Sequence, residues 1–60
     1  MDKRLLRPEE AAHLLGISRS KVYELIRAGR LRAVKLDGSR RIPREAVEEL
    51  IATLTKEAAA

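Results

Sequence analysis

The sequence predicts a mainly α-helical domain with one small β-hairpin, in the order helix, turn, helix, hairpin, helix. Three segments have apolar residues at helical spacing, Gly or Pro stands at their ends, and an Asp-Gly pair separates two short extended segments. A chain of 60 residues forms one domain and buries about 60% of the surface exposed on unfolding. We therefore expect one small core in a single domain over residues 1–60, ordered over 5–55 and frayed over 56–60.

The first helix is predicted at Pro8–Leu15. Proline is favoured at the first helical position, where its missing N–H has no intrahelical acceptor to lose. The apolar stripe of this helix consists of Ala11, Leu14 and Leu15. Gly16 follows and is expected to end the helix in a left-handed conformation.

The second helix follows after a very short connection. Ser18 is predicted to cap its N-terminus, Ile17 to pack against Val22, and Gly29 to end it. Its apolar stripe consists of Val22, Leu25 and Ile26. Two short amphipathic helices joined this tightly are typical of a helix-turn-helix unit.

A two-stranded hairpin, which we call the wing, is predicted over residues 32–42. Asp37-Gly38 lies between two extended segments, and Asp-Gly is a strong short-range signal for a hairpin turn. If these two residues form the loop, Lys35 lies opposite Arg40.

A three-residue loop through Ser39 is the alternative, and it places Lys35 opposite Arg41. We prefer this register because it also places Val34 opposite Ile42, so that both face the core. In either register two cations lie directly across the hairpin, which is unfavourable without an anion between them.

The third helix is predicted from Pro43 onward and is the most strongly periodic segment. Its apolar stripe consists of Val47, Leu50, Ile51 and Leu54. Three glutamates, Glu45, Glu48 and Glu49, are expected to face water. With this helix the predicted architecture is a winged helix-turn-helix.

Composition excludes several classes of protein. The chain has no cysteine and one histidine, His13, so it has neither a disulfide framework nor the residues of a thiolate or histidine metal site. No apolar run approaches the length of a membrane span, and no apolar signal segment begins the chain. We expect a cytoplasmic protein with no cofactor, metal or membrane partner. Catalysis is not expected, because no nucleophile and base can be paired.

Positive charge is concentrated in the middle of the chain. Residues 16–41 carry eight Lys and Arg against two Asp and Glu, whereas the remaining segments are neutral or acidic. A basic side of this kind is expected of a protein that binds a polyanion, although basic residues also keep small domains soluble.

The outer face of the second helix carries candidate DNA contacts. Arg19, Ser20 and Tyr23 are best placed to reach base edges, because the N-terminal part of the second helix enters the major groove in such units. Arg19 could bind guanine through two donors. The structural alternative for Ser18 is to cap the helix. The structural alternative for Tyr23 is to pack against the edge of the core.

The wing carries the second group of candidates, Lys35, Arg40 and Arg41. We hypothesise that they clamp backbone phosphates or insert one Arg into a minor groove. The alternative is a hairpin face that is simply solvated.

The segment at residues 6–23, LRPEEAAHLLGISRSKVY, resembles the opening of excisionase-type, MerR-like helix-turn-helix domains. The resemblance continues through Gly29-Arg30-Leu31 and the basic wing to about residue 54. It implies that the second helix contacts bases and that the wing contacts the backbone or minor groove. The implied DNA-binding residues are Ser18, Arg19, Ser20, Tyr23, Arg27, Lys35, Arg40 and Arg41, and Lys21 adds affinity for phosphate.

This resemblance implies sequence-specific binding of double-stranded DNA, as an excisionase-like recombination directionality factor that binds and bends DNA. The partners it suggests are further copies on adjacent sites and a site-specific recombinase. A small transcriptional regulator is the alternative, which we place second because the sequence stops at residue 60 without the long dimerising helix of MerR activators. A basic protein-docking or membrane-docking module is a remote third.

Overall fold

The structure is a computed structural model that describes residues 4–59. Its elements follow the order β1 (Leu5–Leu6), α1 (Pro8–Leu15), α2 (Arg19–Arg27), β2 (Val34–Leu36), β3 (Ser39–Pro43) and α3 (Arg44–Ala59). The predicted class, mainly helical with a small sheet, is confirmed. Within the described residues, no helix combines the length and the apolar composition needed to cross a membrane.

The turn between α1 and α2 forms as the sequence predicted. Gly16 has φ 70° and ψ 31°, a left-handed conformation that residues with a Cβ adopt at a steric penalty. Its N–H donates to the carbonyl of His13 at 3.2 Å. Ser18 caps α2 by accepting a hydrogen bond from the N–H of Lys21 at 3.1 Å. The relative orientation of the two helices is therefore set by local hydrogen bonds.

A third strand, which the sequence analysis missed, joins the wing to the body of the protein. β1 pairs antiparallel with β3, with Leu5 opposite Pro43 and Leu6 opposite Ile42. The sheet order is β1-β3-β2, so β3 is its central strand. A lone two-stranded hairpin is marginally stable, and this third strand gives the wing a fixed base.

The register of the wing is the two-residue one, and our preference for the loop through Ser39 was wrong. Lys35 lies opposite Arg40. Asp37 and Gly38 have φ values of 51° and 78°. Positive φ at both central residues defines the type I′ turn, whose twist matches that of the strands and which Asp-Gly favours.

The same correction moves Val34 out of the core. Val34 lies opposite Arg41 and is 40% exposed, whereas Ile42 is completely buried. The expectation that one face of the wing packs on the core was wrong for Val34, because Ile42 pairs in the core with Leu6 of β1 and not with Val34.

One apolar core joins all three helices to the sheet. Its buried members are Leu6, Ala11, Ala12, Val22, Leu31, Ile42, Ala46, Val47 and Leu50. On α1, Ala11 and Ala12 face the core while Leu14 is 47% exposed, which corrects the predicted stripe. On α3, Val47 and Leu50 are buried as predicted, but Ile51 and Leu54 lie at the exposed edge.

The third helix begins at Arg44, directly after Pro43, and continues to Ala59. It is thus longer than the sequence predicted, while Ala60 lies outside the described residues. Glu57, on the last turns, accepts hydrogen bonds from Nη2 of Arg30 at 2.8 and 3.0 Å. This contact links the end of α3 to the turn that follows α2.

Candidate nucleic-acid interface

An open cleft lies between the outer face of α2 and the tip of the wing. The start of α1 forms its third side, because the tight turn at Gly16 packs α1 beside α2. The residues that line the cleft are Arg7, Pro8, Glu9, Arg19, Tyr23, Gly38, Ser39, Arg40 and Arg41. Four of them are arginines, so the cleft is a surface on which an anionic ligand is electrostatically favoured.

Arg19 is the most constrained of these arginines. Its Nε lies 3.4 Å from Oε1 of Glu9, and its Nη2 donates to the Tyr23 hydroxyl at 3.3 Å. The guanidinium carbon also lies 5.2 Å from the centre of the Tyr23 ring, within the range of a cation–π contact. The side chain of Tyr23 therefore holds Arg19 in place, a role beyond the predicted packing against the edge of the core.

The wing carries three cations, Lys35, Arg40 and Arg41, of which the last two line the cleft. Lys35 and Arg40 form a directly opposed pair across the hairpin. Nη1 of Arg41 donates to the carbonyl of Arg40 at 3.0 Å. Over residues 4–59, no carboxylate lies within ion-pairing distance of these three side chains. A phosphate placed here would relieve their mutual repulsion.

The two serines predicted as contacts have different places. The hydroxyl of Ser18 is engaged as the cap of α2, so the structural alternative for this residue holds. Its exposed position at the helix N-terminus is still compatible with a phosphate contact. Ser20 is exposed on the first turn of α2 and is not part of the cleft lining.

Lys21 and Arg27 are not brought to the cleft. Lys21 lies 3.9 Å from Glu24 in an exposed ion pair and borders a different, more apolar groove. Arg27 is exposed on the last turn of α2. If these two residues contact DNA, they do so as phosphate ligands beside the cleft.

Sequence reasoning missed several residues of the cleft, above all Glu9 and Arg7. Glu9 lies in the first turn of α1, where a carboxylate is favoured by the helix dipole, so its position in the sequence gives no sign of a site residue. Its position beside Arg19 depends on how α1 packs against α2, which the short turn between the helices restricts without specifying which side chains meet. The short turn at Gly16, between the two helices, was the one sequence signal that α1 lies beside α2.

The wing and α2 together border one basic cleft. Residues 5–60 match the family profile of the helix-turn-helix domain. An excisionase from Streptomyces ambofaciens is 49% identical over 47 residues, which are 78% of this chain and 76% of that protein.

A probable excisionase from Saccharopolyspora erythraea is 44% identical over 50 residues, which are 83% of this chain and 51% of that protein. This chain thus spans about half of that second relative. No solved structure matches the chain significantly. The family profile covers nearly all of this sequence, and the chain belongs to the excisionase-type helix-turn-helix family.

Proposed function

We propose that this protein binds double-stranded DNA sequence-specifically and without catalysis, as an excisionase-like recombination directionality factor. The observation that carries the proposal is the basic cleft, which sets arginines of α2 and of the wing around one open space. DNA is the polyanion that suits this arrangement, because a helix fits the major groove while a hairpin follows the adjacent backbone.

In this proposal α2 supplies base contacts. Arg19 and Tyr23 project from its outer face into the cleft, near the N-terminal end that enters the groove in helix-turn-helix proteins. Ser20, on the same exposed turn, is the third candidate for a base edge. Arg19 is the residue we assign to guanine, because a guanidinium matches the two acceptors on the guanine edge.

The wing supplies contacts to the backbone. Lys35 and Arg40 face each other, and Arg41 lies next to them at the cleft. Like charges placed across a hairpin destabilise it, so their joint presence favours a ligand that brings negative charge. Phosphates on either side of a minor groove meet this requirement.

The excision role is favoured over a transcriptional one because both similar proteins carry the name excisionase. Such a role requires DNA bending and cooperation with other proteins. We therefore propose that further copies of this chain bind adjacent sites and that a site-specific recombinase is the functional partner.

Replacement of Lys35 or Arg40 by Gln tests the wing. Each substitution is expected to weaken binding to every duplex alike and to reduce the slope of log K against log salt by about 0.9, one phosphate contact. Fluorescence anisotropy with a random-sequence duplex over a range of salt concentrations measures both quantities.

Lys56→Gln is the matched control, since it removes one positive charge at the far end of α3. It is expected to leave the salt slope unchanged. Unchanged slopes in Lys35→Gln and Arg40→Gln as well would show that the wing does not contact phosphates and would contradict its proposed role.

A further inference from the structure

Glu9 is an unexpected residue in a surface that meets DNA. Among the described residues that line the cleft it is the single acidic one, beside four arginines. A carboxylate there repels phosphate and lowers the general affinity for nucleic acid. Its presence in the cleft lining therefore points to a second role.

The contacts of Arg19 indicate that role. Glu9 occupies the Nε side of the guanidinium at 3.4 Å, and the Tyr23 hydroxyl accepts from Nη2 at 3.3 Å. Nη1 has no acceptor among residues 4–59. A bidentate contact with guanine O6 and N7 can use one N–H of Nη1 and the second N–H of Nη2. The donors needed for the base thus stay available, while Glu9 and Tyr23 hold the rest of the Arg19 guanidinium.

Glu9 is well placed to hold Arg19 because its backbone is fixed. It lies in the first turn of α1, next to the buried Pro8, and α1 packs directly against α2. Glu9 and Arg19 therefore come from two helices whose relative orientation is set by the turn at Gly16.

We propose that Glu9, together with Tyr23, positions Arg19 for one guanine, so that Glu9 helps to set base preference without itself contacting DNA. This inference rests on the proposed function. Each contact alone is weak, because the side chains of Arg19 and Glu9 are about 60% exposed. Three contacts on one guanidinium nevertheless restrict a flexible side chain before binding, which is worth about a three- to tenfold gain in affinity for the matched base.

Removal of the Glu9 carboxylate is predicted to have opposite effects on the general affinity for DNA and on base preference. In Glu9→Gln, a released and uncompensated Arg19 binds any phosphate more readily, so affinity for random-sequence DNA rises. Preference for the matched base pair falls, by at most the roughly three- to tenfold factor that complete release of the side chain would cost. A residue that only stabilised the fold would lower both affinities, and a residue that only repelled DNA would raise both by the same factor.

The test compares two duplexes: one selected by the wild-type protein from a randomised pool, and the same duplex with its critical G·C pair replaced by A·T. Anisotropy titrations give the affinity ratio for wild type, Glu9→Gln and Glu48→Gln. Glu48 is the matched control because its carboxylate lies 3.6 Å from Nε of Arg44, a similar exposed pair outside the cleft lining. We expect a reduced ratio in Glu9→Gln and a wild-type ratio in Glu48→Gln.

A second arm needs no DNA. In the free protein, the side-chain Nε–H signal of Arg19, identified by its loss in Arg19→Lys, should shift in Glu9→Gln and stay in place in Glu48→Gln. An unshifted signal, or an unchanged affinity ratio in Glu9→Gln, would overturn the positioning role even if the wild-type protein binds DNA. Failure of the wild type to bind any duplex would instead overturn the proposed function.

Discussion

Arg19→Ala is expected to remove base preference at one G·C pair, at about 1–3 kcal/mol for that position. The reason is that Arg19 is the cleft residue whose donors match the two acceptors of guanine, and Ala offers none. Affinity for duplexes that already lack this G·C pair should fall much less. Competition titrations with duplexes changed at single positions measure the preference directly.

Arg27→Ala is the control for this prediction, since it removes the same side chain from the same helix outside the cleft lining. Any loss in Arg27→Ala should be equal for all duplexes, as expected for a phosphate contact. Equal losses on all duplexes in Arg19→Ala would contradict the assignment of α2 as the element that contacts bases.

Ile42→Ala is expected to lower the free energy of unfolding by about 2–5 kcal/mol. Ile42 is completely buried in the central strand of the sheet, where it belongs to the core that joins the three helices to the sheet. A domain of 60 residues has a total stability of about 3–9 kcal/mol, so this variant should lose a large share of its stability. Urea denaturation followed by circular dichroism measures the change.

Val34→Ala is the companion variant and also tests the register of the wing. Val34 is exposed opposite Arg41, so its loss should change stability by no more than about 0.5 kcal/mol. In the three-residue register Val34 would share the core with Ile42. Large losses in both variants would therefore contradict the observed register.

The helices could be predicted from the sequence because local signals specify them. Pro8 and Gly16 bound α1, and the cap of Ser18 starts α2, all as predicted. These residues act through hydrogen bonds and dihedral angles within a few positions, which a sequence pattern records. The same holds for Asp37-Gly38, whose turn preference was the more reliable guide to the wing.

The features that sequence reasoning missed depend on residues far apart in the chain. Leu5 and Leu6 form a strand only because β3, more than 30 residues later, offers a partner edge. Val34 was misplaced because the extent of the core along the wing is a tertiary property. Glu9 lies in the site because α1 packs against α2, a contact between side chains that no short sequence pattern specifies. Of the nine predicted DNA-binding residues, the cleft gathers Arg19, Tyr23, Arg40 and Arg41.

The most direct test of the account is an NMR titration of isotope-labelled protein with a random-sequence duplex at two salt concentrations. We predict salt-sensitive shifts on both sides of the cleft, in the first half of α2 and in the wing around Arg40, while signals of α3 beyond Leu50 stay unchanged. An absence of shifts at low salt, or shifts confined to α3, would contradict the claim that α2 and the wing together form the DNA-binding surface.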